Sequence, residues 1–433
     1  MICNTMYWDV NCFISMSKYI ITGGKKLSGE VTISGNKNSI LPCLAATLLS
    51  EQSVTLKNVP QIKDVEVFLE ILKSLGSKIQ QKNGEITIQI SEIATHHLDP
   101  KLTSKLRASV LLVGPILAKL GKIDFFHPGG DVIGKRSIDT HLNGFEALGY
   151  KFKTLDRHYR GGGVKKTGRI IYFLMEASVT ATENLILASV LGGGEVTLKN
   201  CAKEPHVVDL CNLLNQMGAL ISGVGESTLK IKGVNSLHGT TFKIGADFIE
   251  IGTYAVAAAV TGGTLTLNNC DLTDLEPILN PLKQMGIEFE TKGQTVKVCA
   301  SKILPIPKLI TNIWPGFPTD LMSLMIVLAT QARGVSLLHD WMFESRMFFV
   351  DKLIRMGASI VIADPHRVLV SGPSKLVARD LESPDIRAGM ALVLAALVAK
   401  GESSINRVEL IERGYGDMAA NLTKIGANIK KTN

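Results

Sequence analysis

The sequence predicts an α/β fold assembled from six copies of one helix–strand unit, three in each of two domains. Three recurring features carry that prediction. The segment Val54-Thr55-Leu56-Lys57-Asn58 returns as Val196-Thr197-Leu198-Lys199-Asn200 and as Leu265-Thr266-Leu267-Asn268-Asn269. Looser copies are Ile123-Asp124-Phe125-Phe126, Val335-Ser336-Leu337-Leu338 and Ser403-Ser404-Ile405-Asn406. Alternating apolar and polar side chains mark each as a half-buried strand, and the spacing of about 70 residues exceeds that of common solenoid repeats. An amphipathic stretch follows each strand and ends in Leu75-Gly76, Leu148-Gly149, Met217-Gly218, Met285-Gly286, Met356-Gly357 or Ile425-Gly426. Glycine just past such a run is the expected helix stop. Before each strand lies an apolar stretch: 38–49, 106–120, 181–191, 248–260, 320–332 and 386–399. These stretches are hydrophobic nearly all round, so they are expected as buried helices.

In chain order each unit therefore reads helix, strand, helix, strand. A chain of 433 residues is long for one small core, which also favours two domains. The strand-like segment 29–34 precedes the first buried helix and is expected to pair with the last unit. The first domain is then 38–243, carrying a loop at 126–139, and the second is discontinuous, 16–37 plus 244–433. The boundary is expected near 239–246. Residues 1–15 fit none of these patterns and are expected as an extension outside the fold, with translation starting at Met16. The segment 159–166, rich in Gly and basic residues, lacks the P-loop pattern and reads as a hairpin tip.

Composition narrows the partners. The formal charge of +8 favours anionic ligands. Lys and Arg are scattered and aromatics make up only 6%, so the interleaving needed to stack nucleobases is missing. Small phosphorylated ligands are thus expected ahead of nucleic acid. The seven cysteines form no CxxC pair, which argues against a disulfide framework or a zinc site. A reducing, cytoplasmic setting follows. No apolar run is long enough to span a membrane, and no basic segment leads an apolar one as in a signal peptide. No metal or cofactor is expected, and oligomeric state is not readable.

One unit is irregular. The second is longer than the others by about four residues in the ~70-residue period. The excess falls between Phe126 and Asp139, in His127-Pro128-Gly129-Gly130-Asp131-Val132-Ile133-Gly134-Lys135-Arg136. An insertion in a regular repeat is where function tends to be added. A carboxylate beside two cations suits proton transfer next to an anion, although Gly, Asp and Lys are also ordinary turn residues. The starts of the buried helices carry further polar residues: Lys37-Asn38, Arg107, Asp247 with Glu250, Asp320 after Phe317-Pro318-Thr319, and Asp385 with Arg387. Helix N-termini suit phosphate. Asp320, taken alone, reads first as a helix cap. Arg413, in Glu412-Arg413-Gly414-Tyr415, reads equally well as a surface arginine.

The stretch 24–49, with Ser34-Gly35-Asn36-Lys37-Asn38 and Leu41-Pro42, resembles the UDP-N-acetylglucosamine 1-carboxyvinyltransferase family of enolpyruvyl transferases. So do Leu106-Arg107-Ala108-Ser109, Pro128-Gly129-Gly130, Ile133-Gly134-Lys135-Arg136, Phe317-Pro318-Thr319-Asp320, Phe343-Glu344-Ser345-Arg346 and Glu412-Arg413-Gly414-Tyr415. They stand in the family's order across 20–429. The resemblance implies a two-domain inside-out α/β barrel of three units per domain, closing on its substrates. It implies transfer of the enolpyruvyl group of phosphoenolpyruvate to the 3-hydroxyl of UDP-N-acetylglucosamine with loss of phosphate, the first committed step of peptidoglycan precursor synthesis.

By family position, Lys37, Asn38, Arg136 and Arg413 would hold phosphoenolpyruvate, supported by Arg346 and Arg387. Asn38, Arg107, the run Arg136, Ser137, Ile138, Asp139 and Thr140, the run Glu176, Ala177, Ser178 and Val179, and Met342 would face the UDP-sugar. Asp320 would face it too, as acceptor of the hydroxyl proton. Asp131 would deliver a proton to C3, with Lys37 and Arg413 assisting catalysis. Most relatives carry Cys where this chain has Asp131, and a minority carry Asp. Lys135 and Arg136 lower a carboxyl pKa there, while burial and substrate charge raise it. Without that thiol the enzyme is expected to resist fosfomycin, which alkylates it. Glu176 stands where relatives often carry a basic residue, Thr140 replaces an apolar residue and Ser137 replaces Pro. Two rivals remain in view: the sister enzyme acting on shikimate 3-phosphate, and a non-catalytic UDP-sugar-binding paralogue.

Overall fold

The computed structural model describes residues 17–131, 133–134, 136–299 and 301–432. The expected extension at 1–15, the Met16 start and Lys135 lie outside the described residues. Apolar helices fill the interior and sheets wrap the outside. The helix Phe248–Thr261 is buried from Phe248 to Val260, and Ile386–Val398 is buried nearly throughout. These two pack on each other and on Thr319–Thr330. Close approach needs small residues: a Cβ on Gly252 would run into Leu321. In the other half, Lys37–Ala46 packs on Pro205–Gln216, and Val113–Leu120 on Val179–Ser189.

Among the described residues six sheets cover these helices, five of four strands and one of three. The first shows the pattern. Val54–Lys57 runs parallel to Thr241–Lys243 and antiparallel to Glu85–Gln89, with Val54 and Leu56 turned inward. The three-stranded sheet, Lys122–Phe126 with His158–Gly162 and Lys151–Leu155, leads directly into the loop that begins at His127. Two separate hydrophobic cores result. One gathers residues between Ile40 and Ile244. The other joins Tyr19, Ile21, Leu27 and Ile33 to residues from Phe248 to Ile429.

The chain crosses between the cores twice, and the crossings lie side by side. Gly35 bridges Ala246; Asn36 N donates to Gly245 O at 2.8 Å, and Asp247 N donates to Ser34 O at 2.9 Å. A side chain on Gly35 would overlap the Asn58 carbonyl.

Two expectations need correction. The segment at 29–34 does not pair with the last unit: Ser28–Thr32 is an edge strand, parallel to Thr264–Asn268. Lys18–Thr22 takes the place in the last sheet, between Glu402–Asn406 and Asn428–Thr432. Tyr19 and Ile21 are fully buried, as a central strand requires, whereas Ser28–Thr32 offers only Val31 to the core. The segment 159–166 is not a hairpin tip either. Tyr159–Gly162 lies within a strand, and the tip is Asp156-Arg157, both at positive φ. The Phe152 ring lies where a Gly161 side chain would be, so glycine is tolerated mid-strand.

Candidate active site

The first cluster assembles around Asp64. The helix Lys37–Ala46 is capped by Asn36, whose Oδ1 accepts from Asn38 N at 2.7 Å and Ser39 N at 3.1 Å. That cap fixes Lys37, whose Nζ lies 2.8 Å from Asp64 Oδ2. Arg413, from the other core, donates from Nε to Asp64 Oδ1 at 2.9 Å and from a terminal nitrogen to Asp131 Oδ1 at 3.2 Å. Asp64 is only 3% exposed, a burial that an ionised carboxylate tolerates only when paired. Sequence reasoning missed it, because an Asp in the first turn of Lys63–Ser74 reads as an ordinary helix start.

The second cluster centres on Asp320. Arg346 meets Oδ1 at 3.1 Å and Arg387 meets Oδ2 at 2.9 Å. Burial pushes the Asp320 carboxyl up, but Arg387 and Arg346 outweigh it and hold it well below the usual carboxylate range. The structure thus joins Arg346 and Arg387 to Asp320 rather than to Lys37 and Arg413. Arg346 keeps its Nε buried without a protein partner, a donor still to be satisfied. Asp385 caps the helix that carries Arg387, accepting from Arg387 N at 2.8 Å. Arg136 links the clusters: burial lowers its pKa, and the charges of Asp131, Asp320, Arg346 and Arg413 all reach it.

The inserted loop closes over both clusters. Gly129 passes so close to Ser104 O that any side chain would collide, and Gly130 has φ of 122°. Ser345 N donates to Ile133 O at 3.1 Å, tying the loop to the second core. Beside it lies a cavity of about 590 Å³ lined by Arg107, Arg136, Ser137, Ile138 and Asp139, together with His127, Arg157 and Tyr159. Ile138 is buried and precedes the helix Asp139–Leu148, while Ser137 Oγ accepts from Asp139 N at 3.0 Å.

The remaining expected residues stand outside that lining. Thr140 Oγ1 donates to Glu176 Oε2 at 3.4 Å, so the two departures from the family pattern meet each other. Ala177 precedes Ser178, which caps the helix Val179–Ser189. Met342 is half-buried beside the Asp320 cluster; its N donates to Asp340, which also accepts from Thr319. His206 was not foreseen. Its ring stacks on Phe248 with centroids 6.2 Å apart, its Nδ1 is buried without a partner, and burial holds its pKa down at about 4 against the pull of Asp320. Among the described residues, no three His, Cys, Asp or Glu side chains are grouped to hold a metal ion, and no helix is long and apolar enough to cross a membrane.

Five cations converge on three aspartates, over helix N-termini and under a glycine loop, in a fold of inward helices and outward sheets. The chain belongs to the EPSP synthase family of enolpyruvyl transferases: the family described as EPSP synthase (3-phosphoshikimate 1-carboxyvinyltransferase) matches residues 21–422. Within it, the chain is similar to proteins named UDP-N-acetylglucosamine 1-carboxyvinyltransferase. The one from Borrelia garinii subsp. bavariensis is 49% identical over 427 residues, covering 96% of this chain and 99% of the relative. That from Treponema pallidum is 47% identical, covering 96% and 100%. Among solved structures, the enolpyruvyl transferase NikO from Streptomyces tendae superposes with a TM-score of 0.86 at 23% identity, covering 96% of this chain and 99% of that one. EPSP synthase from Acinetobacter baumannii gives 0.74 at 18% identity, covering 96% and 100%. Both likenesses concern the fold.

Proposed function

We propose that this chain transfers the enolpyruvyl group of phosphoenolpyruvate to the 3-hydroxyl of UDP-N-acetylglucosamine and releases phosphate, supplying a peptidoglycan precursor. The observation that carries the reading is the two aspartates, Asp131 paired with Arg413 and Asp320 with Arg346 and Arg387, arginines that an anionic substrate would claim. Phosphoenolpyruvate carries a carboxylate and a phosphate, and Lys37, Arg136, Arg413 and the unpartnered Nε of Arg346 supply donors for both.

Binding then changes the aspartates themselves. Asp131 gives up Arg413 to the substrate and is the carboxyl placed to deliver a proton to C3. Asp320 shares Arg346 and Arg387 with the substrate, loses part of its stabilisation and becomes the stronger base for the sugar hydroxyl. The oxygen bonds to C2 as its proton leaves, C3 gains one, and the tetrahedral adduct then loses phosphate and the C3 proton.

The two cores support domains at 38–243 and at 16–37 plus 244–433, and the six sheets support six copies of one unit. The absence of a membrane-length helix among the described residues fits a cytoplasmic enzyme. The deciding assay is phosphate release from phosphoenolpyruvate. Release that requires UDP-N-acetylglucosamine supports the proposal; release with shikimate 3-phosphate instead, or none with either, sinks it.

A further inference from the structure

The cavity beside the catalytic loop has a wall that the family resemblance leaves without a role: His127, Arg157 and Tyr159. His127 joins two others through its ring. Its Nε2 lies 3.3 Å from Arg107, and its Nδ1 lies 3.3 Å from the Tyr159 hydroxyl. Arginine can only donate, so Nε2 accepts and, in the neutral ring, Nδ1 carries the hydrogen. Burial, with Arg107 and Arg157 close by, lowers the His127 pKa and keeps the ring neutral. The Tyr159 oxygen therefore accepts from His127, and its own hydrogen is free to turn into the cavity. Stacking on Phe125, with centroids 5.1 Å apart, holds the Tyr159 ring in place.

Arg157 adds a second, independent observation. It occupies the hairpin tip Asp156-Arg157 with φ of 65°. A two-residue turn of that kind favours Asn-Gly, and an arginine there costs strain that the fold itself does not require. The strained residue is the one that lines the cavity. Arg107, joined to His127, and Arg136 line the same cavity, so its lining is rich in donors. A space of about 590 Å³ matches a nucleotide in size.

We infer that Tyr159 and Arg157 bind the diphosphate of the UDP-sugar, with His127 as the positioning residue that orients the Tyr159 hydroxyl and the Arg107 guanidinium together. This rests on the proposed function. Calorimetric titration of the full chain with UDP, with uridine as control ligand, tests it. Tyr159→Phe keeps the ring and loses the hydroxyl, and Arg157→Gly relieves the turn strain, so neither threatens the fold. Each is expected to weaken UDP about ten- to hundredfold while leaving uridine unmoved, and to raise KM for the UDP-sugar rather than for phosphoenolpyruvate. His127→Ala is expected to lose UDP affinity, and His127→Gln, which can accept from Arg107 and donate to Tyr159, to restore it. Arg160→Ala is the control, because Arg160 pairs with Asp124 and does not line the cavity. Wild-type protein that binds UDP while both variants match it, or equal losses for uridine, would overturn the inference alone. A wild type that neither binds UDP nor releases phosphate would overturn the proposed function with it.

Discussion

Arg413 and Asp131 meet at 3.2 Å although 282 positions separate them in sequence, and they come from opposite cores. The contact ties the inserted loop to the second core and leaves Asp131 facing a cation before any substrate arrives. Its release by an incoming anion is the step on which the proposed chemistry turns.

Replacing Asp131 by Asn keeps the shape of the side chain and removes its proton. Phosphate release is expected to fall roughly 10²–10⁴-fold, the usual weight of a general acid. Single-turnover kinetics on Asp131→Asn check this; an unchanged rate would place the proton donor elsewhere.

Asp131 should also decide drug response. A carboxylate is a far poorer nucleophile than a thiolate, so fosfomycin is expected to leave the native chain active and unlabelled. Asp131→Cys puts a thiol beside Arg413, which favours the thiolate, and that variant should gain covalent adduct by mass spectrometry. Labelling of Asp131 in the native chain would contradict the argument.

Asp64 neutralises Lys37 and Arg413 at once, in a nearly buried position. Asp64→Ala leaves Lys37 without its carboxylate and Arg413 with Asp131 alone, and is expected to cost about 3–5 kcal/mol of stability. Phosphoenolpyruvate supplies replacement charge, so the gap in Tm between variant and wild type should narrow as the ligand is added. Thermal shift with and without phosphoenolpyruvate measures both effects, and a gap that ligand does not change would show that Asp64 acts on the fold alone.

Glu250 accepts from Ser34 N at 2.9 Å and from Ser34 Oγ at 2.6 Å, beside the double crossing. Burial raises its pKa from 4.5 to about 7. A carboxyl whose folded pKa lies above its unfolded one adds stability that is full below 4.5 and is lost as pH rises through about 7. Tm is therefore expected to fall by a few degrees across that window, and Glu250→Gln to flatten the fall. Parallel pH–Tm curves for the two proteins would count against it.

The buried helices were legible because a helix surrounded by protein is apolar all round, as Phe248–Thr261 and Ile386–Val398 are. The inserted loop was legible as a break in a repeat. Strand partners were less so: neither Lys18–Thr22 nor Ser28–Thr32 names its neighbour in its own residues, and the depth of burial separates the central strand from the edge one. Asp64 was invisible for a different reason. Its local context is a normal helix start, and its role exists only where Lys37 and Arg413 arrive from distant parts of the chain. The strain at Arg157 likewise needs the register of its hairpin, which no spacing of residues discloses.

The paired crossings at Gly35 and Ala246 have a topological consequence. Both ends of the intervening 210-odd positions leave the second core at adjacent points, already hydrogen-bonded to each other. That stretch is therefore an insert: joining Ser34 to Asp247 through a short turn would leave the second core's sheets fully paired, at the loss of the packing of the helix Glu409–Tyr415 on Lys63–Ser74. The reverse is untrue, since the second core donates both its beginning and its end to one sheet, where Lys18–Thr22 lies against Asn428–Thr432. One half of the molecule is a host with its own termini sewn together, and the other is a guest.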